Sequence, residues 1–282
     1  MARMPLRLVA VVLLFALCGS GAGAQDPSGD EVPYIKTPQA VVDKMLELAQ
    51  VGVDDFLIDL GSGDGRIVIS AAQYRGARGF GVELDDRLVE ASNAAARKAG
   101  VADRAQFFAR DLFDTDIAQA SVLTMYLLPE FNLRLRPRLL AELKPGTRVV
   151  SHDWDMGEWQ PDAKAVLEGL SKPVMPIHSS TVYLWIVPAR VAGVWTVKLD
   201  GAKAMQVEFV QRFQEISGFA TGETGRSLMQ SPNLRGAEIR FAVIDPARRR
   251  SEPLHFFGRV AGDAMEGTAA GGRRWHARRK LD

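Results

Sequence analysis

Apolar positions fall into two textures along this chain. Up to about residue 190, short apolar runs alternate with stretches in which apolar residues recur every three or four positions. The runs at 56–60, 79–83, 105–109, 121–126 and 147–152 predict strands, and the segments at 66–75, 86–99 and 130–142 predict helices between them. An earlier helix begins at Thr37-Pro38, with Thr37 as its cap and Pro38 at its first position. Val41, Val42, Met45, Leu46 and Leu48 give that helix an apolar stripe. Strands alternating with helices predict an α/β fold, a doubly wound and mainly parallel sheet. A run at 182–187 is the last strong strand of this unit, and Pro188 stops it. Beyond 190 the period shortens to two, at 195–199, 205–210, 237–244, 254–260 and 274–278. Turns around Gly258, Gly262 and Gly267 separate several of these stretches. This texture predicts a small antiparallel β domain, a meander or barrel, over 191–282.

The first residues belong to neither texture. Arg3 and Arg7 are the only charges before Asp26, an apolar run covers 8–18, and Ala22-Gly23-Ala24 precedes Gln25. A basic start, a short apolar run and an A-x-A site are the pattern of a secretory signal peptide, predicted over 1–24. The run is too short for a comfortable membrane span, so no stable span is expected after cleavage; an uncleaved N-terminal anchor is the alternative. Residues 25–33, polar and broken by proline, read as a linker to a domain over 34–190. Cys18, the single cysteine, lies inside the apolar run. A cleaved chain would hold no disulfide, thiolate metal site or cysteine nucleophile. Cleavage also removes two arginines and no acid, turning a formal net charge of +1 into −1. That balance indicates no polyanionic partner such as nucleic acid. The arginines at 248–250 and near the C-terminus read as solvated turn and strand residues.

The chemistry concentrates where the first strand ends. Asp59-Leu60-Gly61-Ser62-Gly63-Asp64-Gly65-Arg66 places three glycines at alternate positions between a strand and a helix. Glycine there allows positive φ and lets backbone lie against a ligand. The dinucleotide fingerprint is G-x-G-x-x-G, and Arg66 stands where its last glycine belongs. Glu83, ending the second strand about 20 residues on, is the expected acceptor for ribose hydroxyls. A dinucleotide site or a turn without ligand stay open on these residues alone.

The acid two residues before the first glycine, with the G-x-G-x-G spacing, resembles the first motif of the class I S-adenosylmethionine-dependent methyltransferases. Together with Val32-Pro33-Tyr34-Ile35-Lys36-Thr37-Pro38, it more particularly resembles the lysine methyltransferases of the mitochondrial ATP synthase c subunit and adenine nucleotide translocase, and their bacterial relatives. The resemblance covers somewhat over half the chain. It implies a seven-strand Rossmann-like methyltransferase sheet with S-adenosylmethionine (SAM) as cofactor. Asp59, Gly61, Ser62, Gly63 and Gly65 would hold the methionine end, Glu83 the ribose, and Asp111 with Leu112 the adenine. Tyr34 and Thr37 match a segment that closes over the cofactor.

The resemblance implies methyl transfer to a nucleophile, a protein lysine amine or a small-molecule acceptor. The Asn/Asp-Pro-Pro-aromatic motif of many amino-methylating enzymes is absent after the fourth strand, where Tyr126-Leu127-Leu128-Pro129 stands. Tyr126 and His152 are the candidate catalytic residues, Tyr126 to line an acceptor channel and His152 as a general base. Asp153, Asp155 and Glu158 share one loop but lack a second histidine, so no metal site is predicted. Two rival functions remain. One is a SAM-fold module that binds without catalysis. The other is a small-molecule or nucleic-acid methyltransferase whose β domain recognises substrate.

Overall fold

A computed structural model describes residues 35–169, 179–223, 225–244 and 252–280. The predicted signal peptide, the linker, Tyr34 and the arginines at 248–250 lie outside the described residues.

The first half follows the apolar texture closely. Helices α1 (Gln39–Leu48), α2 (Arg66–Arg75), α3 (Asp86–Lys98) and α4 (Pro129–Glu142) alternate with strands β1 (Phe56–Leu60), β2 (Arg78–Glu83), β3 (Ala105–Ala109), β4 (Val122–Met125) and β5 (Arg148–His152). Two more strands, β6 (Ala163–Glu168) and β7 (Ser179–Ile186), complete a seven-stranded sheet of order β3-β2-β1-β4-β5-β7-β6. The first five strands pair in parallel; β7 runs antiparallel to β5, and β6 antiparallel to β7. The order reverses beside β1, so a crevice opens past the C-terminal ends of β1, β2 and β4. The α1 stripe faces the core: Val41, Val42, Met45 and Leu46 are buried in one cluster with Leu57, Ile67 and Val68, and Leu48 is partly buried against it.

Two expectations change. Thr37 does not cap α1; Pro38 holds the cap position, no side-chain bond caps the helix, and the Thr37 hydroxyl turns elsewhere. The edge strand β6 was not predicted, because its residues are alternately half-buried and exposed and carry a weak apolar signal.

The second half is a nine-stranded antiparallel sheet. Its strands are β8 (Gly193–Leu199), β9 (Met205–Arg212), β10 (Glu215–Gly222), β11 (Gly225–Leu228), β12 (Gln230–Arg235), β13 (Glu238–Val243), β14 (Leu254–Ala261), β15 (Ala264–Ala269) and β16 (Arg274–Arg279). Last strand pairs with first, since β16 lies beside β8. At the remaining seam, β11 pairs with β10, β12 pairs with β13, and Met229 alone separates β11 from β12. The Met229 N–H donates to Gly218 O of β10 at 3.0 Å, so the sheet comes almost full circle as a barrel. Side chains fill its interior. Phe241 and Phe256 stack at 4.8 Å between ring centroids, and Trp275 meets both edge-on. Gly258 and Gly267 were expected in turns; they pair with each other inside β14 and β15. A Cβ on Gly258 would lie 2.4 Å from Trp275 Cζ2, so this glycine makes room for the indole.

Candidate active site

Asp59 sits at the end of β1, between β2 and β4, where its neighbours in register are Gly81 and Thr124. The side chain is buried, at 1 % exposure. Side chains in register on parallel strands share a face, and the Thr124 hydroxyl donates to Asp59 Oδ1 at 2.7 Å. Asp59 Oδ2 and the hydroxyl of Ser62 are also buried, and neither has a hydrogen-bond partner among the described residues. Loss of solvation pushes the Asp59 carboxyl up to about 7; the Thr124 bond opposes this, while the charges of Glu83 and Asp64 add to it. A buried acid with one free oxygen is a ready counter-charge for a cation.

The glycine turn wraps this acid. Gly61, Gly63 and Gly65 take φ of 74°, 53° and 77°, left-handed values that glycine alone adopts cheaply. A Cβ at Gly61 would come 2.8 Å from Leu127 Cδ2, and one at Gly65 2.6 Å from Phe107 Cζ. The turn is pinned from outside. Gly61 N–H and Ser62 N–H both donate to Val82 O, at 3.0 and 2.9 Å, and Ser92 Oγ donates to Gly63 O at 3.0 Å. Glu83, closing β2, accepts from Gly63 N–H at 3.0 Å with one oxygen and from Leu84 N–H at 2.8 Å with the other. Asp111, beyond β3, accepts from Phe113 N–H at 2.7 Å, and Leu112 packs against the sheet core beside it. Asp59, Glu83 and Asp111 thus stand at the ends of three adjacent strands.

Arg66 explains the missing glycine of the fingerprint. Its guanidinium pairs with Asp64 and donates to Thr37 O at 2.8 Å, tying the segment before α1 to the turn. Thr37 is buried, and its hydroxyl lies 3.3 Å from His152 Nδ1 at the end of β5. His152 is wholly buried; its Nε2 lies 3.0 Å from Ser180 Oγ and 3.4 Å from Asp153 Oδ2. The ring of Tyr126, just past β4, lies over the imidazole at 3.9 Å and 34°. Asp153 takes φ of 64°, held there by two bonds to Thr181: N–H to Thr181 O at 2.7 Å, and Oδ1 accepting Thr181 N–H at 3.0 Å. The Tyr126 hydroxyl bonds to Asp153; burial first, then the Asp153 charge and this bond, push the phenol up to about 12. Sequence patterns did not single out Thr124 or Ser180, and pointed to Asp153 only as one acid of a loop too poor in ligands for a metal. Thr124 had a signal, as the one polar residue inside an apolar strand; Ser180 had none.

Comparison with known proteins agrees with this geometry. The family model described as the ANTKMT methyltransferase domain matches residues 59–163. The protein-lysine N-methyltransferase of Saccharolobus islandicus is 42% identical over 157 residues, which cover 55% of this chain and 94% of that protein. The chain belongs to this family of SAM-dependent methyltransferases. The adenine nucleotide translocase lysine N-methyltransferase of Mus musculus is 32% identical over 55% of this chain and 67% of its own length. A crystal structure described as an RNA methyltransferase from Salinibacter ruber, in complex with S-adenosyl-L-homocysteine, is 52% identical with a TM-score of 0.51. It covers 56% of this chain and 96% of that one. SAM is therefore the methyltransferase's cofactor, and the residues present suit it. The free oxygen of Asp59 and the hydroxyl of Ser62 lie beside three glycines that carry no Cβ, and the acidic strand ends favour a cationic ligand.

Proposed function

We propose that this methyltransferase acts on the ε-amine of a protein lysine, and that it does so after export. The observation that carries the acceptor reading is the Tyr126–Asp153 pair seated on His152 at the ends of β4 and β5. Two relatives named as lysine N-methyltransferases support it. When bound, SAM supplies an electrophilic methyl group for in-line displacement, and the chain's part is to place the nucleophile. Asp59 balances the cofactor's positive charge from beneath the turn. Asp153 attracts an incoming ammonium, whose ordinary pKa is near 10.4; its proton passes to solvent before attack, and loss of water in the crevice favours the neutral amine. The Tyr126 phenol stays protonated, so its oxygen accepts a hydrogen bond from the amine and aims the nitrogen lone pair. His152 has partners at both nitrogens and a ring against its face, so it acts as a positioning residue for Tyr126 and Asp153.

The test is transfer of label from SAM to a periplasmic extract and, in parallel, to RNA, the acceptor class named for the Salinibacter protein. Methyl-lysine in protein hydrolysates is the expected product; label confined to RNA or small molecules overturns the reading. Tyr126→Phe should lower kcat/KM roughly 10- to 100-fold, the value of a hydrogen bond to a charged group, with SAM affinity unchanged. Export rests on Arg3, Arg7, the apolar run and Ala22-Gly23-Ala24. N-terminal sequencing of the protein from a membrane-bounded host compartment should begin at Gln25; a chain beginning at Met1 opposes it. Among the described residues, no helix is long and apolar enough to cross a membrane.

A further inference from the structure

The barrel touches the methyltransferase sheet through the turn between β9 and β10. Phe213 at its tip stacks on Trp159, with ring centroids 6.2 Å apart and planes 18° from parallel. The Arg136 guanidinium of α4 lies 5.6 Å from the Phe213 ring centroid on its way to donating to Met156 O at 2.7 Å. Gln214 Nε2 donates to Gln160 O at 2.7 Å. These contacts fall on residues 156–160, which follow directly on Asp153. The same segment is held from the sheet side. Asn132 of α4 donates to Ser151 Oγ and Trp154 O, both at 3.0 Å, and Trp185 of β7 donates its indole N–H to Trp159 O at 2.7 Å.

The turn is itself braced. Gln211 donates to Ala189 O at 2.8 Å and Phe213 O at 2.7 Å, and accepts from Val191 N–H at 2.7 Å. Both ends of one amide thus join the turn to the connection leaving the sheet. Phe213 takes φ of 54°, a conformation costly for a bulky residue that persists only when its surroundings hold it. Trp159, at the end of this chain of contacts, is completely buried.

We infer that Phe213 is a positioning residue for methyl transfer: the barrel's β9–β10 turn fixes residues 154–160, and through them Asp153 beside Tyr126. The barrel is then the outer support of the acceptor side of the site, while the cofactor side is built from β1, β2 and α2 without it. The family match ends at residue 163, so this support comes from outside the matched region. The inference rests on the acceptor role given above to Tyr126 and Asp153.

The test uses the full chain with Phe213→Ala, Phe213→Gly and Phe213→Tyr. Glycine removes the ring and relieves the backbone, so a variant that folds is available. Both truncations should speed amide hydrogen exchange at 153–160 and lower kcat/KM for the methyl acceptor roughly three- to tenfold, the value of an aromatic stack. SAM affinity should stay within about twofold of wild type, as no cofactor-binding contact is lost. Phe213→Tyr should restore both readouts. Unchanged exchange at 153–160, faster exchange with unchanged acceptor kinetics, or an equal loss of SAM affinity each overturns the inference. A wild-type chain that labels RNA instead of lysine fails the acceptor reading alone, because exchange and kcat/KM with RNA then judge the turn.

Discussion

Lowering the pH from 8 to 6 should weaken SAM binding about tenfold, and Asp59 is the reason. Its carboxyl is buried, its Oδ1 is held by Thr124, its Oδ2 is free, and desolvation lifts its pKa to about 7 from 3.8. A cationic ligand prefers the carboxylate. At pH 8 nearly all of the free protein offers it; at pH 6 about one molecule in ten does, which gives the tenfold change. Binding at pH 6 should therefore release close to one proton, which calorimetry reads by repeating the titration in buffers of different ionisation enthalpy. The same shift bears on stability with a definite sign. The folded chain keeps a proton that the unfolded chain has given up, so this group's contribution falls as pH rises from about 3.8 through about 7, then levels off. The whole span amounts to about 4 kcal/mol. Asp59→Asn keeps an acceptor for Thr124 and removes the charge. It should raise the unfolding free energy of the ligand-free protein at pH 8 while weakening SAM binding and erasing its pH slope. A SAM affinity that is flat between about pH 5.5 and 8, or an Asn variant that binds as tightly as wild type, refutes the reasoning.

Three single substitutions probe other contacts. Gly65→Ala combines a left-handed φ with a Cβ 2.6 Å from Phe107 Cζ, so it should cost roughly 2–4 kcal/mol in denaturant unfolding; a loss below about 1 kcal/mol would mean that the turn relaxes freely. Arg66→Ala cuts the bond to Thr37 O and should weaken SAM binding roughly tenfold in calorimetry, through a looser segment before α1; unchanged affinity would separate that segment from the cofactor site. Gly258→Ala drives a methyl to 2.4 Å from Trp275 Cζ2 and should destabilise the barrel by roughly 1–3 kcal/mol, seen as lost near-ultraviolet dichroism of tryptophan, with SAM affinity retained.

The parallel half was legible because its strands are buried on both faces and read as continuous apolar runs, while its helices carry an apolar stripe. The predicted bounds of β1, β3 and α2 agree with the structure to the residue, and those of β2, α3 and α4 to within one. Legibility failed where burial is one-sided or the inward residue is small. β6 is an edge strand, half-exposed throughout. In β10 the inward positions are Ile216, Gly218 and Ala220, too small to stand out from a polar stretch. Gly258 and Gly267 looked like turn residues because glycine usually marks turns. At Gly258, Trp275 occupies the space a side chain would fill, and at Gly267 a side chain would meet the backbone of β14.

The candidate site divides along the same line. Asp59, the three glycines, Glu83 and Asp111 could be read because each lies at the end of its strand or just past it, and a parallel sheet delivers successive strand ends to one edge whatever the loops do. The acceptor side depends on pairings across 28 to 115 residues: Thr37 with His152, and His152 with Ser180. No local pattern encodes these, since one hydroxyl is as good as another until the fold brings it to the ring. His152 shows the consequence. Its position after a strand suggested a base, but a base needs an open nitrogen, and here both nitrogens face side-chain partners in the interior. What the histidine can do is hold an aromatic ring and a carboxylate in fixed relation. On the proposed acceptor reading, the chemistry then falls to Tyr126 and Asp153, which are partly exposed where Thr37, His152 and Ser180 are buried. On this argument, replacing His152 by a residue of similar shape should damage acceptor kinetics through Tyr126.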